Sequence, residues 1–257
     1  MPRANRHFLP SHVWHITHRC HEREFLLRFA RDRRFWLRRL YEARKRHGLC
    51  VLNYIATCNH VHLLVRDRGQ GEIARSMQLI AGRTGQAYNR RKTRKGAFWE
   101  DRYHATAVET GEHLARCLVY IDLNMVRAGA VAHPGDWELS GYREIQSPPS
   151  RYQVIDLEAL VDALGLNDID QLRDCHRRWV EDGLASGSVM RNDRWTRSLA
   201  VGSEAFVQHI QQEMGADARF RTIEHDGAGS YLKEPAAAYW ADFGAEMGRL
   251  RPPDECK

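Results

Sequence analysis

The spacing of apolar positions changes several times along the first half of the chain, and each change marks an element. His12-Val13-Trp14-His15-Ile16-Thr17 alternates and is rich in β-branched residues, which predicts a strand. Over residues 32–47, Trp36, Leu37, Leu40 and Tyr41 recur at helical spacing, with arginines on the other face and Gly48 as the stop. Cys50–Ala56 reads as a second strand, turning through Thr57-Cys58-Asn59 into a third over 60–65. A second helix is expected over 71–91, burying Ile73, Met77, Ile80 and Ala87. Residues 98–108 read as a fourth strand, and Thr110 as the cap of a third helix running to about Arg127.

The first six of these elements follow the split βαβ, ferredoxin-like order. That order implies an α+β fold of the ferredoxin/RRM type: an antiparallel sheet with helices on one face and the other face left for an open site. Pro134-Gly135 and Ser147-Pro148-Pro149-Ser150 then punctuate the chain and divide it into a core, 1–146, and a mainly helical extension, 147–257. In the extension, Leu157, Leu160, Val161 and Leu164 form a short apolar stripe. Asp168 with Gln171 predicts a capping box for a helix carrying Leu172, Trp179 and Val180. A further helix over 203–214 buries Phe206, Val207, Ile210 and Met214 and ends at Gly215, and 224–235 reads as loop.

Charge divides the chain in a similar way. Residues 1–110 hold 23 Lys+Arg against 9 Asp+Glu, a surplus of 14, whereas 111–257 hold 16 against 24. A basic half dominated by arginine, whose planar fork grips phosphate with two hydrogen bonds, suits a nucleic-acid partner better than a merely solubilised surface. No apolar run approaches the roughly 20 residues that span a membrane, and no signal-peptide segment follows Met1-Pro2-Arg3-Ala4-Asn5-Arg6. The six cysteines (20, 50, 58, 117, 175 and 256) contain no Cys-x-x-Cys pair, which fits reduced thiols in a cytoplasmic protein.

Two segments carry candidate chemistry. In Asn59-His60-Val61-His62-Leu63-Leu64-Val65, strand alternation points both imidazoles to one face and Val61, Leu63 and Val65 to the other. A His-x-His pair alone is more often structural than ligating, so it needs a partner. In the helix from Glu112 to Arg127, Leu114, Leu118, Ile121 and Met125 form the core stripe. Arg116, Tyr120, Asn124 and Arg127 form a second stripe about a quarter-turn away. A phenol, an amide and two guanidiniums on one face suit attack of a tyrosine on a phosphodiester, with arginines neutralising the phosphate and a metal polarising its oxygen. Arg90, Arg91, Lys92, Arg94 and Lys95 form a basic run able to contact a nucleic-acid backbone, or simply a solvated face.

Asn59-His60-Val61-His62-Leu63-Leu64 resembles the histidine–hydrophobe–histidine (HUH) motif of single-tyrosine transposases. Tyr120-Ile121-Asp122-Leu123-Asn124-Met125-Val126-Arg127-Ala128-Gly129 resembles the tyrosine helix of REP-associated tyrosine transposases, and Phe98-Trp99-Glu100-Asp101-Arg102-Tyr103 is similar to the aromatic segment before it. The resemblance covers roughly residues 10–145. It implies that His60 and His62 ligate Mg2+ or Mn2+ with Asn124 assisting. It also implies that Tyr120 attacks single-stranded DNA, hairpin or repeat-associated, to give a 5′-phosphotyrosine link and later rejoining. Met125 stands where the family usually has proline, which should leave the helix unbroken for another turn. Cys58 stands where proline is common, loosening the turn into the metal strand.

Two other functions fit the same elements: a metal-dependent phosphodiesterase using activated water, and a domesticated, non-catalytic nucleic-acid-binding protein. The metallo-hydrolase pattern His-x-His-x-Asp-His is absent, since Leu64 and Val65 fill its last two positions. An RRM-type aromatic strand pair is not evident either. Monomer and homodimer are both open.

Overall fold

The structure is a computed structural model and describes residues 9–186, 192–218, 221–227 and 229–233. The N-terminal residues 1–6, Pro235 and Cys256 therefore lie outside the described residues. Strands β1 (Val13–Arg19), β2 (Cys50–Ala56), β3 (His60–Arg66) and β4 (His104–Val108) pair antiparallel in the order β2-β3-β1-β4, the ferredoxin-like order expected from the element sequence. Helix α1 (Ala30–His47) ends where Gly48 turns left-handed at φ 70° and returns its N–H to Arg44, and helix α2 (Glu72–Lys92) follows β3. Ile73, Met77 and Ile80 are buried on α2 as their spacing implies, with Ala87 only partly so.

The sheet continues past β4. Strand β5 (Ser198–Gly202) pairs parallel to β4, and β6 (Thr222–Asp226) and β7 (Gly229–Lys233) extend the sheet to seven strands, β2-β3-β1-β4-β5-β7-β6. The segment expected as loop from 224 is thus largely two paired strands. Apolar residues are too sparse among the polar ones here to show a period of two in the sequence; β7 is ordered by pairing with β5, and β6 by pairing with β7. Around these strands the later residues are helical: α5 (Gly141–Gln146), α6 (Leu157–Leu164), α7 (Ile169–Ala185), α8 (Arg194–Arg197) and α9 (Glu204–Met214). Asp168 caps α7 by accepting from the Gln171 N–H at 2.7 Å as expected, whereas the Gln171 side chain accepts from the Asn167 N–H, one residue before the Asp168 N–H that a capping box would use. Ser203 caps α9, which buries Val207, Ile210 and Met214 and leaves Phe206 partly covered.

Three local expectations change. Within 98–108 only residues 104–108 form strand. Residues 98–103 make a single bridge, Trp99 to Cys20, because Trp99 turns aside to stack on His18 and to donate its indole N–H to Ala81 of α2. Helix α3 (Glu112–Asp122) starts after Gly111, whose φ of 72° fits glycine and whose N–H bonds Ala163, so Thr110 is not the cap. The same helix stops at Asp122 and a separate turn, α4 (Asn124–Arg127), follows Leu123, despite the absence of proline. The Tyr120 carbonyl, which a continuous helix would bond to the Asn124 N–H, accepts instead from the Arg127 guanidinium.

Helices also cover both sheet faces. Register places His15, Thr17 and Arg19 of β1 opposite Leu64, His62 and His60, all on one face, with Trp14, Ile16, Val61 and Leu63 on the other. Helices α1 and α2 occupy the second face, where Trp36 meets Tyr54. Helix α3 crosses the first, so the histidine face is enclosed rather than free: the stripe Leu114, Leu118, Ile121 and Met125 is itself apolar and has to be buried somewhere. Helix α7 then packs on α3, with Gly183 against Leu123 and Val119.

Candidate active site

A strand and a helix from distant parts of the chain build the site. On β3, the His60 and His62 rings stand 4.9 Å apart and nearly perpendicular, on the shared face that alternation requires. His60 is held at Nδ1 by Asn59 Oδ1 (2.7 Å) and Thr57 Oγ1 (3.0 Å), so the turn before the strand aims this ring with Cys58, which does not restrict the backbone, inside it. Asn124, the first residue after the Leu123 break, donates its amide to His62 Nε2 at 3.0 Å. The Tyr120 ring lies 6.0 Å from His62 and is 8% exposed, and the Arg127 guanidinium covers its other side at 4.2 Å.

His60, His62, Tyr120, Asn124 and Arg127 therefore come together. Arg116 does not: it is exposed one turn earlier on α3 and paired with Glu112. The basic run sits at the end of α2 and in the turn beyond. Arg91 pairs with Asp32 and covers Tyr88, Lys92 lies 5.6 Å over Phe29, and Arg94 binds Asn89, Ala97 and Glu24. Arg90 and Lys95 are exposed. Backbone bonds from His21 to Phe98 and from Glu100 to Arg19 tie the segment after this run to the end of β1 that faces His60. The run thus borders the site without entering it.

Four participants carry no motif in the sequence. Arg19 stands directly across from His60 in the sheet. His15 is fully buried and stacks on His62, with ring centroids 5.0 Å apart and planes 15° apart. His15 Nε2 lies 2.8 Å from His62 Nδ1, and Thr17 Oγ1 lies 3.3 Å from the same atom. Trp195, at the start of α8, closes the site beyond Tyr120 at 6.2 Å. The one available signal was strand parity, which puts His15 and Thr17 on the His60 and His62 face once the β1–β3 register is known.

Burial dominates the electrostatics. It lowers the His62 pKa well below that of a free imidazole, with nearby His60, His15, Arg127 and Arg19 adding to the shift. Burial also lowers His15 to about 3, against the opposing bond to the Trp195 carbonyl. Both rings are neutral at pH 7, the form in which an imidazole ligates a metal. The donor set at the site is two imidazoles, that of His62 held neutral, and an amide that can turn its oxygen inward, with no carboxylate beside them among the described residues. It fits a divalent ion that keeps several positions for substrate oxygens, with manganese tolerating the nitrogen ligands more readily than magnesium. Among the described residues, His12, His209 and Glu213 form a separate cluster close enough to hold a metal, next to β1 and on α9.

The amide of Asn124 and the phenol of Tyr120 owe their positions to a buried polar network under α3. Asp122 accepts from Asn53 of β2 (3.0 Å) and from His176 of α7 (2.7 Å). A bulge at Leu52 shifts the β2 register by one residue and so brings Asn53 to the face of Leu64 and His62.

A family model described as "Transposase IS200 like" matches residues 9–124. Among solved structures, that of a REP-associated tyrosine transposase bound to a REP hairpin aligns with a TM-score of 0.50 at 17% identity. The alignment covers 62% of this chain and 96% of that one. No match was found among the curated proteins.

Proposed function

We propose that this chain, whose residues 9–124 belong to the IS200-like transposase family, cleaves and rejoins single-stranded DNA through Tyr120. Its role in transposase-type DNA processing follows from that membership; the tyrosine chemistry is our reading. One observation carries it: phenol, two imidazoles, amide and guanidinium converge in one enclosed cluster from residues 60–62 and 120–127.

His60, His62 and Asn124 would hold Mg2+ or Mn2+. Bound there, the ion would supply Lewis-acid polarisation of a non-bridging phosphate oxygen. The Tyr120 oxygen forms the new bond to phosphorus, and the bond from phosphorus to the 3′ oxygen breaks. The phenolic proton is lost and the departing 3′ oxygen gains one. The 5′-phosphotyrosine link conserves the phosphodiester for rejoining by the reverse step. Arg127 fixes the Tyr120 ring by stacking and its backbone by the carbonyl bond, which limits the phenol to one approach. Burial of Tyr120 keeps water from competing with the 3′ hydroxyl. Arg19 and the basic run from Arg90 to Lys95, with Arg116, offer contacts to the flanking backbone. A hairpin substrate is proposed by extension from the hairpin held by the similar solved structure.

The test is a denaturing gel with labelled single-stranded hairpin DNA and Mn2+. Wild type should give a covalent protein–DNA band and Tyr120→Phe none, with DNA binding retained. Metal-dependent hydrolysis surviving in Tyr120→Phe would instead assign the site to a water-using phosphodiesterase. Tight binding without cleavage in any divalent metal would assign it to a non-catalytic binding protein.

A further inference from the structure

His15 and the backbone of Trp195 form a proton-ordered chain that ends at His62. The Trp195 carbonyl can only accept, so the 2.8 Å contact at His15 Nδ1 requires the proton of that nitrogen to be present. A second proton on His15 would bury a cation beside His62 and Arg127 without a counter-charge, so His15 Nε2 carries a lone pair. The 2.8 Å contact between His15 Nε2 and His62 Nδ1 then holds one proton, and it sits on His62 Nδ1. Thr17 Oγ1, at 3.3 Å, adds a weaker contact to the same N–H. His62 Nε2 is left with its lone pair, directed at the Asn124 amide 3.0 Å away, whose N–H is the complementary donor.

The chain is anchored from the far end of the sequence. Trp195 lies on α8, whose successor β5 pairs with β4 through Ala107 and Ala200. The single hydroxyl proton of Thr106 on β4 goes mainly to the Ser198 carbonyl at 2.6 Å, with the Trp195 carbonyl 3.2 Å from the same oxygen, so β4 ties the turn that carries the acceptor to the sheet. Residues 195–202 are 133 or more positions from His62 in sequence, yet they supply the group on which its tautomer depends.

We infer that His15 is a positioning residue that fixes His62 as its Nδ1–H tautomer and presents Nε2 for ligation, and that the Trp195 carbonyl makes the later part of the chain a working component of the site. The ligation half of this inference rests on the proposed metal role of His62; the tautomer half does not. Neutral histidine otherwise favours the Nε2–H form, so the enforced Nδ1–H form is a measurable departure.

The experiment uses metal-free, full-length protein labelled with 15N in histidine, with the tautomer read from long-range 1H–15N correlations and His62 assigned by its loss in His62→Gln. Wild type should show His62 protonated at Nδ1. His15→Phe, which removes donor and acceptor together, should shift His62 toward Nε2–H. His15→Gln, which offers one of each, should preserve Nδ1–H. Mn2+ titrations, in a His209→Ala background to silence the second cluster, should weaken about 10–100-fold in His15→Phe and change little in His15→Gln, the range for losing the orienting partner of a metal-bound histidine. An Nε2–H His62 in wild type, or an unchanged tautomer in His15→Phe, would overturn the inference, and the wild-type measurement decides even if the variant does not fold. Wild type with Nδ1–H at His62 but no Mn2+ affinity lost on His62→Gln would uphold the tautomer assignment while ending the metal reading.

Discussion

Replacing His176 by leucine removes a hydrogen-bond donor from a carboxylate that has no route to water. Asp122 and His176 are both fully enclosed between α3 and α7, and among the described residues the 2.7 Å bond between them is supplemented by the Asn53 amide at 3.0 Å. Gln146 donates to His176 Nδ1 at 3.0 Å while accepting from Arg177, so the imidazole proton is directed to Nε2 and to Asp122. Breaking a buried pair by removing one partner costs about 3–5 kcal/mol, since the remaining charge is uncompensated. For a chain of this size each kcal/mol is about 2–4 °C in Tm, so His176→Leu should lower Tm by on the order of 10 °C.

The second half of that prediction separates charge from packing. Asp122→Leu combined with His176→Leu removes the stranded carboxylate and leaves the Asn53 amide as the orphan, a cost of about 1–3 kcal/mol. The double variant should therefore be more stable than His176→Leu alone. Urea unfolding followed by tryptophan fluorescence measures this as a shift of midpoint at constant slope. If the two substitutions simply add, or if His176→Leu shifts the midpoint by less than about 1 kcal/mol, the network is not what holds the tyrosine helix.

Further outcomes follow from single contacts. Gly141→Ala would place a Cβ 2.0 Å from Asn53 Oδ1 and 2.8 Å from Ile155 Cδ1, so a loss of about 1–3 kcal/mol is expected in the same urea assay. Arg127→Lys keeps the charge but loses the planar stack over Tyr120; the covalent adduct should form about tenfold more slowly, a barrier increase of about 1.4 kcal/mol, and wild-type rates would remove Arg127 from the positioning role. Asp168→Ala deletes the cap of α7 and should cost about 1 kcal/mol, measurable by thermal melting. The five described cysteines are buried thiols, and burial raises Cys20, Cys50 and Cys117 further from the reactive thiolate. Ellman's reagent should therefore label these five far more slowly in native than in urea-unfolded protein.

Much of the site was legible in the sequence for a local reason. Alternation on a strand depends only on the residue-to-residue geometry of that strand, so His60 and His62 had to share a face wherever β3 lay. The same holds for α3, where 3.6-residue spacing alone sorts Leu114, Leu118 and Ile121 from Arg116 and Tyr120. The element order from β1 to β4, which sets the ferredoxin-like core, is read from periods and turn residues that each fall within a window of about a dozen positions.

What tertiary structure decided is everything that depends on pairing between distant segments. The Leu123 break follows from an arginine side chain reaching back to the Tyr120 carbonyl, a choice that helix propensity does not encode. Strands β5 to β7 have little periodicity of their own and become strands because β4 offers an edge. His15 was visible only as a strand residue; its bond to His62 needs the β1–β3 register and its bond to Trp195 needs a contact across 180 positions. Periodicity is a property of neighbours in sequence, whereas proton placement in a buried cluster is a property of neighbours in space. The sequence by itself determined which face the histidines share and which helix carries the tyrosine. The folded chain alone determined that this face is enclosed and which partners orient the ring nitrogens.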